Sequence, residues 1–391
     1  MIVFVQPAGL SSPGGGPRIL RALLREAPLP FLSVCTSPAP PPRTEVGAET
    51  HLPSRRRYGR LESTRFARWL GLAELAGHTA FEGRLEDLCR KRPVAAMHAL
   101  AHGLDFWPAF RVAKKLNLPY FLSVHDDLGY ALRNRPERAY GLIRIRAAWT
   151  GATGRFVISQ EMGEEYCRRY GRLPYALVTD GLESINSQPL PRPGNSLRVY
   201  FMGLFHHSYG ENLRGLRRAL SSLRDRRPDL TVSLTCRCGS LAREFESGGF
   251  PITVLPLATE ADVARDMEQA DLLYLPMPFG KEYADFSRYS LSTKLITYLG
   301  SGLPILYHGP AGTAAGNLLA QHGAAVLLDS RLPEAIAEVL SDVPRRADAV
   351  TRNALTLGTT RFQLSDQRER FWQALCGEKA VAGHPVKVGA S

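Results

Sequence analysis

FSRYSLSTKLITYLGSGLPILY, residues 286–307, carries two local signals in immediate succession. Lys294, Leu295, Ile296, Tyr298 and Leu299 have helical spacing behind Ser292 and Thr293, both natural N-caps. Gly300 and Gly302 stop that helix, Pro304 follows, and Pro304-Ile-Leu-Tyr307 reads as a short buried strand. A helix start presents unpaired N–H groups and a partial positive charge, which suits a phosphate. Ser292, Thr293 and Lys294 add two hydroxyls and an ammonium at that end. The same residues also read as an ordinary capped helix followed by a strand, and the stretch alone does not choose between the two.

The chain around it repeats the pattern. Upstream, strand 198–202 leads through Gly203-Leu-Phe-His-His-Ser-Tyr-Gly210 into helix 212–223, followed by strands 231–235, 252–255 and 271–275. Downstream lie strand 325–328 and helices over 331–341, 345–355 and 361–375. Residues 184–196, SINSQPLPRPGNS, are polar and proline-rich, as a linker between domains should be. Before them the alternation starts with strand 2–5, a glycine-rich turn Gly14-Gly15-Gly16 and a helix from Arg18. Strands 30–35, 94–97, 119–124, 155–158 and 175–178 follow, separated by helices. Residues 37–53, with proline at 38, 40, 41, 42 and 53, are expected to be irregular. Strand–helix alternation implies parallel sheets with right-handed crossovers. Ligands of such sheets sit beyond the C-terminal strand ends. His125, Asp126 and Asp127 fall just past strand 119–124, and His98 and His102 past strand 94–97. A strand-capping role competes with function for these residues, because unpaired buried charge is costly.

Ser290-x-Ser292-Thr293-Lys294-Leu295-x-x-Tyr298-Leu299-x-Ser301-Gly302-x-Pro304-Ile305 resembles the donor-binding segment of GT-B glycosyltransferases, in particular the family 4-like retaining enzymes. Val124-His-Asp-Asp-Leu128 resembles the family's His-Asp segment facing the sugar, and Gly14–Arg18 its glycine loop closing over the donor. The likeness runs from Gly14 to about Leu340. It implies an α/β chain of two Rossmann-like domains with parallel sheets facing a central cleft. Residues 1–185 would form the acceptor-side domain, with a C-terminal helix of about 361–376 packing back on it. Residues 196–357 would bind the nucleotide-sugar, and 377–391 would be a loose tail. The implied donor contacts are Gly15, Gly16, Gly203, His207, Ser208, Tyr289, Ser292, Thr293 and Lys294. His125 and Asp126 would orient the reacting groups, with His98, His102 and Asp127 on the acceptor side. Many members carry two glutamates where Tyr289 and Thr297 stand here. The loop 203–210 offers His206, His207 and Ser208 where an Arg or Lys is usual, leaving Lys294 as the main phosphate cation.

Composition bounds the alternatives. The 391 residues suit two domains, and 44% hydrophobic with 22% charged residues suit a full core. No run of 18 apolar residues occurs, and MIVFVQP is a strand start rather than a signal peptide. A cytoplasmic location is therefore expected. Of six cysteines only Cys236 and Cys238 are close, and two thiols make a poor chelate. No DxD-like pair stands where a metal-dependent transferase would need one, and the helix start with Lys294 can neutralise a leaving diphosphate. Neither metal nor cofactor is therefore expected beyond the nucleotide-sugar substrate. Net charge is +12, with 26 Lys and Arg against 17 Asp and Glu in residues 1–185 and 23 against 20 in the remainder. That asymmetry suits an anionic partner. The basic segment 54–76 is a candidate for peripheral contact with the inner face of an anionic membrane, with packing on the core as the competing reading. No aromatic-interleaved basic motif supports nucleic acid. The function expected is transfer of a sugar to a glycan or lipid-linked acceptor in cell-surface polysaccharide biosynthesis. The alternatives are a nucleotide-sugar epimerase of the same design and a non-catalytic sugar-nucleotide or glycan-binding protein.

Overall fold

The computed structural model describes residues 1–54, 67–132, 135–191, 194–204, 207–239 and 249–377. The chain divides into two compact units, one of residues 1–180 with 364 onward, the other of residues 181–363. Unit 1 runs β1 (Ile2–Gln6), α1 (Gly15–Leu24), β2 (Phe31–Cys35), β3 (Ala48–His51), α2 (Ala67–Arg90), β4 (Ala96–Leu100), α3 (Phe106–Lys115), β5 (Tyr120–Val124), α4 (Leu128–Ala131), α5 (Arg135–Gly151), β6 (Gly154–Val157), α6 (Gln160–Tyr170) and β7 (Ala176–Leu177). Its seven strands order as β3-β2-β1-β4-β5-β6-β7, all pairs parallel. Every residue of β1, β4 and β5 is buried, as parallel strands covered on both faces require.

Unit 2 runs β8 (Ser196–Met202), α7 (Gly210–Arg226), β9 (Thr231–Arg237), β10 (Ile252–Leu255), α8 (Glu260–Glu268), β11 (Leu272–Pro276), α9 (Ala284–Tyr289), α10 (Thr293–Leu299), β12 (Ile305–His308), α11 (Ala314–His322), β13 (Val326–Leu328) and α12 (Pro333–Arg361). Its six strands are parallel in the order β10-β9-β8-β11-β12-β13. One face packs on α7 and α12 through Leu213, Leu216, Ile336 and Leu340. The other packs on α10 and α11 through Leu295, Leu299 and Leu319. The last helix, α13 (Leu364–Cys376), belongs to unit 1. There Phe371 and Trp372 join Phe4 and Leu20 in the core, and Trp372 Nε1 donates to Leu23 O at 3.0 Å.

Three sequence expectations are corrected. The segment 37–53 holds an edge strand, β3, paired from Leu32↔Ala48 to Cys35↔His51. The prolines end at 42 and resume at 53, so 48–51 keep the N–H groups a ladder needs. The basic segment does not end as a separate unit at 76: its described part continues through Gly77 in one helix, α2. Likewise α12 continues through Pro344, because its buried stripe of Ile336, Leu340, Val343, Ala347, Val350 and Ala354 is unbroken. That packing offsets the proline's lost hydrogen bond. Arg55, Arg56, Arg57, Arg60, Arg65 and Phe66 of the basic segment lie outside the described residues. No described helix is long and apolar enough to cross a membrane.

Candidate functional site

The order of the second sheet reverses between β8 and β11, and a crevice for ligands is expected at their C-terminal ends. Gly203 follows β8 with φ +95°, a conformation that costs glycine little and other residues much. A Cβ placed on it would lie 3.2 Å from Lys294 Cδ and 3.4 Å from Cγ. The lysine stem therefore runs along the Gly203 backbone. Lys294 Nζ lies 5.5 Å from the Phe201 ring centroid and 5.1 Å from that of Tyr209. Among the described residues no carboxylate pairs with it. Two ring faces hold a cation without neutralising it, each contributing about 0.5–1 kcal/mol where water still reaches. Ser208, buried, sits in the short turn 207–209 directly before α7. His206 is outside the described residues, and of His207 only the backbone in that turn is described.

The remaining donor-side residues divide. Ser292 caps α10, its Oγ accepting the Lys294 N–H at 3.2 Å, and Thr293 opens the helix. Thr297 Oγ1 donates to Thr293 O at 3.2 Å, a bond within the helix. Tyr289 is a correction: it is 3% exposed at the end of α9, so it offers no open face to a ligand.

In unit 1 the order reverses between β1 and β4. Gly14, at φ +124°, precedes α1, whose first residues are Gly15 and Gly16. A Cβ on Gly16 would stand 3.7 Å from His125 Nδ1, so the imidazole lies beside the start of α1. That Nδ1 is buried and has no hydrogen-bond partner among the described residues. Burial lowers the His125 pKa to about 4, against the opposing pull of Asp126, so the ring is neutral at pH 7. Asp126 Oδ2 lies 3.3 Å from His102 Nδ1, whose side chain is 48% exposed. The Asp126 hydrogen bond raises the His102 pKa. Because the folded value is the higher one, the pair's contribution is complete at low pH and is lost as pH rises through that value. We expect the His102 ring to titrate above its ordinary value in the wild type and lower in Asp126→Asn, where the raising partner is lost and burial still opposes the charge. A pH series of histidine ring proton shifts checks this; an unmoved His102 titration in the variant would contradict the pairing.

Two acceptor-side expectations are corrected here. His98 lies within β4 rather than past it, 1% exposed among Phe4, Phe156 and Phe371. Its Nε2 is 2.7 Å from Ser123 Oγ, and burial lowers its pKa to about 3. Asp127 is also 1% exposed: it accepts the Gly129 N–H at 2.9 Å, capping α4, and pairs with Arg169 Nη1 at 2.6 Å. Both residues build the fold.

No family model matches the chain, and no curated protein matches it in sequence. Solved structures do. HepE of Anabaena, determined in complex with UDP, superposes with a TM-score of 0.65 at 14% identity, over 96% of this chain and 99% of that one. The UDP-forming α,α-trehalose-phosphate synthase of Burkholderia xenovorans, determined with glucose-6-phosphate, gives 0.65 at 12% identity, over 96% and 100%. An E. coli trehalose-6-phosphate structure with UDP-2-fluoro glucose gives 0.62 at 11% identity, over 99% and 100%. The fold is GT-B.

This GT-B chain also uses residues that sequence reasoning missed. Asn212, in the first turn of α7, is fully buried, and its Nδ2 donates to Met277 O at 3.0 Å and His308 O at 2.9 Å. It thereby ties the helix after Gly203 to the ends of β11 and β12. His308 is fixed between Tyr274 OH and Ser330 O, both at 2.7 Å. The carbonyl can only accept, so Nε2 carries the proton; burial lowers the pKa to about 4 and keeps the ring neutral. The one hint in the sequence is an asparagine early in a helix, where its side chain tends to seek backbone groups. A cavity of about 630 Å³ opens at the opposite edge of the second sheet, by Leu190, Ser196 and Asp271. It contains none of the residues anticipated from sequence. Among the described residues, no three His, Cys, Asp or Glu side chains converge as metal ligands would.

Proposed function

We propose that this GT-B chain is a glycosyltransferase that moves a sugar from a nucleotide-sugar donor to an acceptor. The observation that carries the reading is Lys294, an ammonium held over Gly203 at the switch point of the second sheet with no carboxylate paired to it among the described residues. A diphosphate would supply the missing anion, and stabilising charge on a departing diphosphate is what such transfer requires. Lys294 would do this without a metal. Structures of similar fold contain UDP and UDP-2-fluoro glucose, which favours a uridine donor. In unit 1, neutral His125 beside Gly16, with Asp126 adjacent, would orient the reacting groups. Retention of configuration, a glycan or lipid-linked acceptor, a role in cell-surface polysaccharide synthesis and a cytoplasmic location, peripheral on the membrane where the acceptor is lipid-linked, complete the proposal.

A second reading, nucleotide-sugar binding without transfer, draws on Thr297, which stands where a glutamate is common and spends its hydroxyl within its own helix. A thermal-shift screen of UDP-, GDP-, CMP- and dTDP-sugars tests the shared part. One donor at about 100 times its Kd should add about 2.7 kcal/mol to the unit that binds it, a rise of several degrees. Nucleotide release in chelator, on adding acceptor glycans, separates transfer from binding. A screen in which no nucleotide-sugar raises the melting temperature would overturn both readings.

A further inference from the structure

Lys294 is not the only cation that lies over two rings. On α5, the guanidinium carbon of Arg144 lies 4.8 Å from the Trp107 ring centroid and 4.8 Å from that of Tyr140. Tyr140 precedes it by four residues, one helical turn. Trp107 belongs to the first turn of α3, the helix entered directly from the loop that holds His102. The Arg144 Nε is buried and has no hydrogen-bond acceptor among the described residues. Among the described residues Arg144 has no carboxylate partner either.

Arg155 shows what a structural arginine looks like in the same unit. Its guanidinium also lies near a ring, that of Trp149 at 5.7 Å. Yet Nε donates to Trp149 O at 2.6 Å, and Nη2 donates to Ala152 O at 2.7 Å and Thr150 O at 3.3 Å. Arg155 spends its fork on backbone carbonyls and locks β6 to the end of α5. Arg144 also lies over rings, and among the described residues its guanidinium makes no hydrogen bond. Leaving a shielded donor of a cation unpaired is unfavourable, and ring contacts offset that only in part. A planar guanidinium fork is shaped for two parallel bonds to an oxyanion.

We propose that Arg144, beside the rings of Trp107 and Tyr140, is an oxyanion subsite of unit 1. It takes the phosphate or carboxylate of an anionic small molecule, which under the transferase reading is the acceptor. Only that last identification rests on the proposed function; oxyanion binding does not. The test uses the full chain and intrinsic tryptophan fluorescence, since Trp107 is one of only four tryptophans. Sodium phosphate, sodium acetate and UDP are titrated separately at constant ionic strength into the wild type, Arg144→Gln and Arg144→Lys, with melting curves as folding controls. A saturable response to phosphate or acetate is expected, weakened about tenfold or more in Arg144→Gln and less in Arg144→Lys, which keeps charge but not the fork. Phosphate or acetate, whichever saturates first, identifies the acceptor's anionic group. The UDP response should be the same in all three proteins. Equal oxyanion responses in the wild type and both variants, or none that saturates in the wild type, would overturn the subsite. A wild type that binds phosphate through Arg144 but is stabilised by no nucleotide-sugar in the donor screen would sink the transferase reading and leave the subsite standing.

Discussion

Asp127→Ala should lower the stability of unit 1 by about 3 kcal/mol, toward the low end for breaking a buried ion pair. The carboxylate is almost fully buried, caps α4 through the Gly129 N–H and holds Arg169 Nη1 at 2.6 Å. Removing it leaves Arg169 with Glu165 as its remaining described carboxylate partner, which is why the cost is not larger. For a unit of this size that is a fall in melting temperature of roughly 6–12 °C. Asp126→Asn, one residue earlier, should do the reverse. Its carboxylate is partly exposed and faces a half-exposed His102, so folding should survive. Turnover of a nucleotide-sugar should drop about 10²-fold if the pair orients reacting groups. Melts and initial rates on the two variants check both halves. A wild-type melt for Asp127→Ala with turnover lost would move the functional role to Asp127 and contradict its placement as a cap.

Much of the architecture was legible because the informative strands are short apolar runs fenced by glycine and proline. IVFVQ before Pro7 and PILYH before Gly309 allow little else. The misreadings share a cause. AETH at 48–51 has no apolar alternation, since an edge strand with every residue at least partly exposed needs none. It is a strand because β2 offers it a ladder, and that partner is not a local property. Pro344 reads as a helix end locally, yet a continuous buried stripe carries α12 across it.

At the candidate site, residue types were easier to find than their placement. Lys294 and Gly203 were each singled out, but the lysine stem lying along the glycine backbone is a tertiary fact. His98 was misplaced by a boundary. Ending its strand at Met97 rather than Leu100 turns a core histidine into an edge one. Asp127 was misassigned because a four-residue helix leaves no periodic signal for the cap to precede. Asn212 went unnoticed because its two acceptors, the carbonyls of Met277 and His308, are brought to it only by the sheet.

Lys294→Ala should weaken binding of a nucleoside diphosphate by about 1.5–3 kcal/mol, the loss of a charge-assisted hydrogen bond. That is roughly a 10- to 150-fold rise in Kd. The variant should fold, because the ammonium contributes only ring contacts with Phe201 and Tyr209 and completes no described ion pair. Its stem leaves a gap over Gly203 that water can fill. Gly203→Ala should have a related effect with the lysine intact, since a methyl group would crowd the Lys294 stem and strain a residue at φ +95°. The direct measurement is calorimetric titration of UDP into the wild type and Lys294→Ala at matched salt. We predict saturable binding to the wild type, weakened at least about tenfold in the variant. Equal affinity in the two proteins would contradict the account, because the diphosphate would then be held somewhere other than the Gly203–Lys294 edge.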